Sequence, residues 1–292
     1  MIYDVRHITT YGYSRQVPFA RCILRLEPRN DGGQSVRSSE LSVTPRPVER
    51  VDGTCFFGNR MTTVTIAKPH RDLKVEMRAR VEVRRAPAPF PGLTRQWEEV
   101  GAMALASDSL APASPAHHLY PSRLVPPVSA VTDYARKSFA PRRPVLEAAT
   151  ELMARIRREF TYDPEATEVS TPLEEAFRER HGVCQDFAHV MIAGLRGLGL
   201  PAAYVSGYIR TIPPPGEKRL EGADASHAWV MLWCGPETGW IGLDPTNDLI
   251  VADDHIVTAL GRDYADVSPL DGVVIGPGSQ KIGIAVDVIP VT

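Results

Sequence analysis

The sequence predicts an α+β protein, in which an N-terminal antiparallel β-sandwich is followed by a central helix packed on an antiparallel sheet. Residues 72–84 alternate without interruption between apolar and charged or polar side chains, which is typical of a half-buried antiparallel strand. A different pattern follows Cys184, where the chain is apolar on nearly every side up to Leu198, as in a helix inside a sizeable domain. Strand-like runs then follow as far as the C-terminus.

The first part of the chain is predicted to be a β module of its own. Turn signals at 31–33, 52–53 and 58–59 separate short runs with strand character, and a cluster of prolines at 87–91 ends the pattern. We therefore expect residues 1–90 to form a small β-sandwich module. The strands expected in it are Tyr3–Tyr13, Cys22–Leu26, Ser38–Val43, Met61–Ala67 and Asp72–Arg84.

The rest of the chain is predicted to be a helical and proline-rich connector, residues 91–145, and a core with C-terminal strands, residues 146–292. Apolar residues at spacings of three and four after Pro144 indicate a helix. His117 and His118 lie in a proline-rich stretch and are expected to be solvated. An exposed loop is expected at 210–225, and loops of this kind border clefts and set specificity. The strands expected in the core are Ala203–Ile209, His227–Trp233, Trp240–Asp244, Ile256–Leu260 and Lys281–Ile289.

Composition narrows the function classes. The chain has 292 residues, a net charge of -2 and a pI near 6.5, which favours neither nucleic acid nor an anionic membrane as a partner. No apolar run is long enough to span a bilayer, and the N-terminus has no secretory pattern, so we expect a cytoplasmic protein. The four cysteines are scattered, so free thiols are expected rather than disulfides.

The residues that carry chemistry begin with Cys184, at the start of the predicted central helix. Free backbone N–H groups and the helix dipole favour a thiolate there, which is how proteins make a cysteine nucleophilic. Thiol-based acyl transfer also needs a histidine base and a group that orients its imidazole. His227 and Asp244 lie on the two arms of a predicted hairpin and could supply both.

The register of that hairpin tests the assignment. If the four residues after Trp233 close the hairpin, Trp233 faces Thr238, and His227 lies directly opposite Asp244. If Trp233 pairs with Trp240 instead, the two site residues shift by one diagonal step but stay on one face. A slip of one residue would put them on opposite faces.

Three motifs carry a resemblance to a known family. They are Gly-Val-Cys-Gln-Asp-Phe-Ala at 182–188, Ser-His-Ala-Trp-Val at 226–230 and Gly-Leu-Asp-Pro-Thr at 242–246. In this order they resemble the core of the bacterial transglutaminase-like proteins, a branch of the papain-like cysteine enzymes that includes transglutaminase-like cysteine peptidases. The N-terminal β module and the tail at 261–272 are also similar to that bacterial group, so the resemblance covers most of the chain.

The resemblance implies that Cys184 is the nucleophile, His227 the general base and acid, and Asp244 the orienting carboxylate. The family reaction is attack on a carboxamide or peptide carbonyl to give a thioester, which water or an amine then resolves. The backbone N–H of Cys184 and the hydroxyl of Tyr162 are candidate oxyanion donors. Gln185 and Asp186 are expected to tie the cysteine loop to its surroundings, and no cofactor is implied.

Hydrolysis of a peptide or protein substrate is the preferred prediction. Animal transglutaminases carry a tryptophan directly after the cysteine, whereas this chain has Gln185, and no acidic loop resembles their calcium sites. Amine acyl transfer of the cross-linking type and a non-catalytic peptide-binding module are the alternatives. The sequence makes no prediction of the oligomeric state.

A metal site is the remaining alternative, because His181, Cys184, Asp186 and His189 cluster in the sequence. Cys184 and His189 are five residues apart on a helix and face different directions, and no second pair with metal-ligand spacing is present. No metal is therefore expected.

Overall fold

The computed structural model describes residues 1–163, 171–211 and 225–291. The N-terminal strands form two antiparallel four-stranded sheets around one apolar core. The first sheet contains β1 (Ile2–Val17), β3 (Gln34–Thr44), β6 (His70–Val83) and β15 (Gln280–Pro290), in the order β15-β1-β6-β3. The second contains β2 (Phe19–Leu24), β4 (Glu49–Thr54), β5 (Arg60–Ile66) and β14 (Leu270–Ile275), in the order β14-β2-β5-β4. The alternation predicted at 72–84 is confirmed, because the alternate residues from Leu73 to Val83 are buried in this core.

Both ends of the chain contribute to the sandwich. β15 pairs with β1 from Tyr3↔Pro290 to Tyr13↔Gln280, and β14 pairs with all of β2. The sequence prediction placed residues beyond 270 with the core, so the structure differs from it here. The physical reason is that periodicity identifies a strand, whereas its partner is set by contacts between residues far apart in the sequence.

The helices that lie between the sandwich and the cysteine helix in the sequence share one apolar core with the cysteine helix. The helix predicted after Pro144 is observed as α3, and a single turn of 3-10 helix at 115–118 buries His118 completely. The prediction that His118 is solvated is therefore wrong, because aromatic rings of Phe57 and Trp240 pack around it. None of the helices in the described ranges is long and apolar enough to cross a membrane. The helices of this region are α1 (Trp97–Leu105), α2 (Ser129–Arg136) and α3 (Val145–Glu159).

The second half of the fold is a five-stranded antiparallel sheet covered by a helix. The sheet contains β9 (Ala202–Ile209), β10 (Ala225–Trp233), β11 (Trp240–Asp244), β12 (Leu249–Ile250) and β13 (His255–Gly261), in the order β12-β11-β10-β9-β13. The remaining elements are β7 (Thr161–Tyr162), α4 (Leu173–Glu179), β8 (His181–Gly182), α5 (Cys184–Gly197) and α6 (Tyr264–Val267). α5 packs its apolar residues against Ala228, Val230 and Leu232 of β10. The interior of the loop expected at 210–225, residues 212–224, lies outside the described residues.

Candidate active site

The path of the chain into α5 is held by a left-handed residue and an aromatic cluster. Arg180 ends α4 with a φ of 57°, a conformation that is uncommon for a residue other than glycine. Its guanidinium lies 4.0 Å from the ring centroid of Phe177 and 4.6 Å from that of Phe160. After this turn, β8 pairs in parallel with β7, so that Tyr162 lies beside Gly182. The turn at Arg180, held by this packing, therefore sets the direction in which the chain enters α5 and so the position of Cys184.

Asp186 closes the first turn of α5. Its Oδ2 accepts a hydrogen bond from the backbone N–H of Val183 at 2.9 Å, while the Asp186 N–H donates to the Val183 carbonyl at 3.0 Å. Val183 has no side-chain acceptor, so the only side chain in this pair of hydrogen bonds is that of Asp186, which accepts the backbone N–H of Val183. Gly182 has no side chain, which matters because a Cβ there would lie 2.5 Å from Asp186 Oδ2. Asp186 therefore positions the loop that presents Cys184.

The hairpin of β10 and β11 adopts the second of the two registers considered from the sequence. Trp233 pairs with Trp240 and Val230 pairs with Leu243, which leaves Asp244 one diagonal step from His227. The two side chains meet, with His227 Nε2 2.8 Å from Asp244 Oδ2. Both are buried, and Asp244 is inaccessible to solvent. Residues 227 and 244 are thus brought together by strand pairing.

Cys184 completes the trio from the helix side. Its thiol lies close enough to the His227 imidazole to raise the pKa of that ring. Because Nε2 of that ring is bonded to Asp244, Nδ1 is the nitrogen available to the sulfur. Cys184 itself is only partly buried, so a reagent or substrate can reach it. The structure thus brings the thiol of Cys184, the imidazole of His227 and the carboxylate of Asp244 into one cluster.

The electrostatics of the trio favour a charged imidazole. Burial lowers the pKa of His227, but the hydrogen bonds and charges of Asp244 and Cys184 outweigh this effect and raise the pKa to about 10. Burial raises the pKa of Asp244, and hydrogen bonds from His227, His255 and Asn247 overcome it and hold that pKa well below the usual range. A charged imidazole is therefore stabilised at neutral pH, with the ionised carboxylate behind it.

His255 and Asn247 belong to the same network, and the sequence analysis did not identify either. His255 Nε2 lies 3.2 Å from Asp244 Oδ2, and Asn247 Nδ2 donates to the same oxygen at 2.7 Å. The other oxygen, Oδ1, accepts the backbone N–H groups of Thr246 at 3.0 Å and of Asn247 at 3.2 Å. Asn247 Nδ2 is also 3.3 Å from His227 Nε2, but both atoms are donors, so this is proximity and not a further hydrogen bond.

His255 reaches the site because the sheet curls. It begins β13 at one edge, whereas Asp244 ends β11 near the opposite edge, and only residues 251–254 join β12 to β13. Such a short link between opposite edges requires the sheet to close upon itself. A motif search could not reveal this contact, although the sequence Asp-Pro-Thr-Asn at 244–247 does place Asn247 in the turn that follows the carboxylate.

The supporting residues predicted from the sequence lie near Cys184. Tyr162 is 47% exposed, and burial of the rest of its ring together with the charge at Cys184 raises the pKa of its hydroxyl. The hydroxyl is therefore a proton donor at neutral pH. Its ring lies 6.4 Å from the ring of Phe187 in an edge-on arrangement. Gln185 is buried in the first turn of α5 beside the cysteine.

The structure also identifies which residues could hold a metal ion. Within the described ranges, the one group of three with convergent ligand atoms is His227, Asp244 and His255, whose atoms lie within 4.8 Å of one another. The group suggested by the sequence is not brought together there, and His189 Nε2 instead accepts the backbone N–H of Tyr264. The oxygens of Asp244 already accept five hydrogen bonds, so His227, Asp244 and His255 are better explained as a hydrogen-bond network than as a metal site.

A cysteine at a helix start, facing a histidine and an aspartate on antiparallel strands, defines the class of papain-like cysteine proteins. Residues 3–82 match the family described as "Bacterial transglutaminase-like N-terminal region", and residues 132–245 match the "Transglutaminase-like superfamily". An uncharacterized protein of Mycobacterium tuberculosis (strain ATCC 25618 / H37Rv) is 40% identical over 294 residues, covering 99% of this chain and 92% of that protein. The chain therefore belongs to the transglutaminase-like superfamily, as the sequence motifs predicted.

Further relatives agree with this assignment. An uncharacterized protein of Mycobacterium leprae (strain TN) is 32% identical over 295 residues, 97% of each chain. The protein-glutamine gamma-glutamyltransferase of Pseudomonas aeruginosa is 34% identical over 125 residues, 41% of this chain and 18% of that enzyme. The crystal structure of a "Putative Cysteine Protease" from Cytophaga hutchinsonii aligns with a TM-score of 0.78 and 22% identity over 100% of this chain and 92% of its own. The predicted fold is confirmed, and the family matches support a papain-like, cysteine-dependent activity.

Proposed function

We propose that the protein is a cysteine-dependent hydrolase of amide or peptide bonds that acts through a thioester on Cys184. The observation that carries the proposal is the buried hydrogen bond between Asp244 Oδ2 and His227 Nε2, which leaves Nδ1 of the ring for the partly buried thiol of Cys184. In such an arrangement the carboxylate fixes the tautomer, the imidazole moves the proton and the sulfur attacks. Asp244, His227 and Cys184 are the assigned orienting group, base and nucleophile.

Acylation begins from the thiolate and imidazolium pair. The Cys184 sulfur attacks the substrate carbonyl carbon and forms a C–S bond, while the carbonyl π electrons move to the oxygen. The tetrahedral intermediate then collapses, the C–N bond breaks, and His227 Nδ1 gives its proton to the departing nitrogen. Ammonia or an amine leaves, and the acyl group remains on sulfur as a thioester.

Deacylation repeats these steps with water. His227, now neutral, removes a proton from a water molecule as its oxygen attacks the thioester carbonyl. The C–S bond breaks, the carboxylic acid product forms, and the thiolate and imidazolium pair is restored. Asp244 stays ionised throughout, because its role is to stabilise the imidazolium and not to take the proton.

The negative charge on the carbonyl oxygen requires donors. The backbone N–H of Cys184 belongs to the first turn of α5, where N–H groups have no partner within the helix. We assign the hydroxyl of Tyr162 as the second donor, because β7 holds it beside Gly182 and its proton is retained at neutral pH. Each such donor contributes roughly 10² to 10³ in rate in enzymes of this kind.

Amine acyl transfer is the second candidate, because one partial relative is named a protein-glutamine gamma-glutamyltransferase. The acylation step is the same in both reactions, and only the nucleophile that attacks the thioester differs. An amine would give a new amide bond in place of a carboxylic acid. The arrangement of Cys184, His227 and Asp244 fits both nucleophiles, so the acceptor must be determined by product analysis.

The test is product analysis with a peptide library rich in glutamine and asparagine. Purified protein is incubated with the library, with and without a fluorescent primary amine, and released ammonia, new termini and amine adducts are measured. Brief acid quenching followed by intact-mass measurement detects the acyl group on Cys184. Cys184→Ala and His227→Ala are the inactive controls.

Release of ammonia or new termini without amine incorporation supports hydrolysis. Incorporation that dominates whenever amine is present supports acyl transfer instead. No turnover of any peptide, together with a Cys184 that alkylates no faster than Cys55, which is also partly buried, would contradict both and favour a binding module that retains the fold.

A further inference from the structure

A second cavity lies directly behind the proposed site. Its volume is about 620 Å³, which is within the usual range for small-molecule pockets. It is formed where the central sheet meets the segment 86–89 that leaves the sandwich and the pair Pro112 and Ala113. The sheet residues that line it lie on the opposite face from those that pack on α5. They include Val205, Trp229, Met231 and Val257.

Trp229 forms the wall between this cavity and the trio. Its ring centroid lies 6.1 Å from that of His227 and 5.2 Å from that of His255, edge-on to the latter. The ring crosses β9 at Gly207, where a Cβ would come within 2.5 Å of it. Trp229 is completely buried, yet its indole N–H has no hydrogen-bond partner among the described residues. A buried N–H without a partner is costly, unless something fills the space beside it.

Other residues that line the cavity also have buried nitrogen atoms without a hydrogen-bond partner. Both ring nitrogens of His118 are buried and lack partners within the described ranges, as does Nε of Arg85. Burial lowers the pKa of His118 to about 3, with a further contribution from Arg196, so the ring is neutral and offers one donor and one acceptor. Three residues around the cavity thus carry unsatisfied polar atoms, but these atoms have almost no accessible surface and do not face into it, and the rest of the wall is largely apolar.

The charged groups at the rim favour an anion. Among the described residues lining the cavity, the ionised side chains are Arg29, Asp31 and Arg85, which leaves one positive charge in excess. Arg85 is poorly satisfied: its guanidinium lies 3.7 Å from Asp31 and makes long contacts of 3.5 Å to Gln34 and 3.4 Å to the His255 carbonyl. Arg29 donates to neutral acceptors, including Asn59 Oδ1 at 2.7 Å.

We propose that this cavity binds an apolar organic acid, with an aromatic or branched body against Met231 and Trp240, which are both partly exposed, and its carboxylate on Arg85. Such a group has two sources, a free small acid or the C-terminal residue of a peptide. The site is separate from Cys184, and its occupancy does not depend on the proposed reaction. Because Arg85 also contacts the His255 backbone, only Arg85 and His255 would separate a bound acid from Asp244.

The test is direct binding, measured by ligand-observed NMR and by tryptophan fluorescence, since Trp229 and Trp240 both line the cavity. The probes are 3-phenylpropionate and its amide, and the peptide Ala-Ala-Phe with a free or an amidated C-terminus. We expect saturable binding of an acid at micromolar to millimolar concentration, with the matching amide about tenfold weaker. The free acid and the peptide acid distinguish the two sources.

Variants locate the site. Arg85→Met is expected to weaken binding of the acid about tenfold and to leave the amide unchanged. Arg84→Met is the matched control, because that side chain is exposed and does not line the cavity. Met231→Trp fills the cavity, and Thr238→Trp at its partly exposed edge gives a second block should the buried variant fail to fold. Cys184→Ala should bind as the parent does.

Absence of saturable binding of both acids at millimolar concentration overturns the proposal. So does equal binding of acid and amide, or acid binding that survives Arg85→Met and both blocking variants. None of these results bears on turnover at Cys184, because the assay measures binding alone.

Discussion

Asp244→Asn is the substitution that tests the proposed site most sharply. The side chain keeps its shape, but one acceptor oxygen becomes an NH2 donor. In the structure, Oδ1 accepts two backbone N–H groups of the turn, and Oδ2 accepts His227, His255 and Asn247. Whichever way the amide is oriented, its NH2 group faces donors.

The size of the expected loss in turnover and stability depends on which hydrogen-bond donors around Asp244 can reorient. The backbone N–H groups of Thr246 and Asn247 cannot rotate away, whereas an imidazole can move its proton to the other nitrogen. We therefore expect the amide NH2 to replace Oδ2 and His227 to carry its proton on Nδ1, pointing at the sulfur. The base is then lost, and the rate of substrate turnover should fall about 10⁴-fold, as for the same change in a Ser-His-Asp protease. At least one buried donor stays unsatisfied, which costs about 1–3 kcal/mol in free energy of unfolding.

The assay is alkylation of Cys184 by iodoacetamide, followed by mass spectrometry, together with peptide turnover. At neutral pH the alkylation rate of the variant should be about tenfold lower, because the imidazolium no longer stabilises the thiolate. Asp248→Asn is the matched control: it is exposed, four residues away, and its φ of 56° suits asparagine. Parental alkylation and turnover in Asp244→Asn would refute the reasoning.

Three further predictions follow from the same contacts. His255→Phe removes the 3.2 Å hydrogen bond to Asp244 and should lower the free energy of unfolding by about 1.5–3 kcal/mol at neutral pH. Because the folded-state pKa of Asp244 is depressed, denaturant titrations should show this loss shrinking as the pH falls below ~4, and a loss independent of pH would contradict it. Gly182→Ala places a Cβ 2.5 Å from Asp186 Oδ2 and 2.8 Å from Asp186 Cβ, and it should lower the free energy of unfolding by about 1–3 kcal/mol; this loss should shrink in the background of Asp186→Gly, which removes both atoms, and additive effects would exclude this contact as the cause. The raised pKa of His227, about 10, contributes stability that is complete below ~6.5 and lost as the pH rises towards 10, so the difference in unfolding free energy between the parent and His227→Gln should narrow over that range; a constant difference would count against the charged imidazole.

The strands were predictable wherever one face is buried. β6 alternates perfectly in the sequence and is buried on alternate residues in the structure. β4 was not predicted, because all six of its residues are exposed and nothing selects apolar side chains on either face. The pairing of β15 with β1 was not predicted either, since hydrogen bonds between strands 280 residues apart leave no local pattern.

The candidate site divides in the same way. His227 and Asp244 could be paired from the sequence because a short hairpin restricts the register, and both registers considered keep them on one face. His255 lies in an almost wholly apolar strand at the far edge of the sheet, and it meets Asp244 because the sheet curls. The sequence therefore predicts the pair joined by the hairpin but not the partner that the curvature of the sheet brings to it.

The position of Asp244 depends on tight packing around β11. On one side, Trp240 pairs with Trp233 and fixes the hairpin register. On the other, Val251 packs so closely on Gly242 that a Cβ there would lie 2.6 Å from the Cβ of the valine. A slip of β11 by one residue would place Leu243 against Val251, and Asp244 would turn to the opposite face, away from His227. The glycine two residues before the aspartate therefore contributes to the chemistry by excluding the wrong register, although it touches none of the reacting groups.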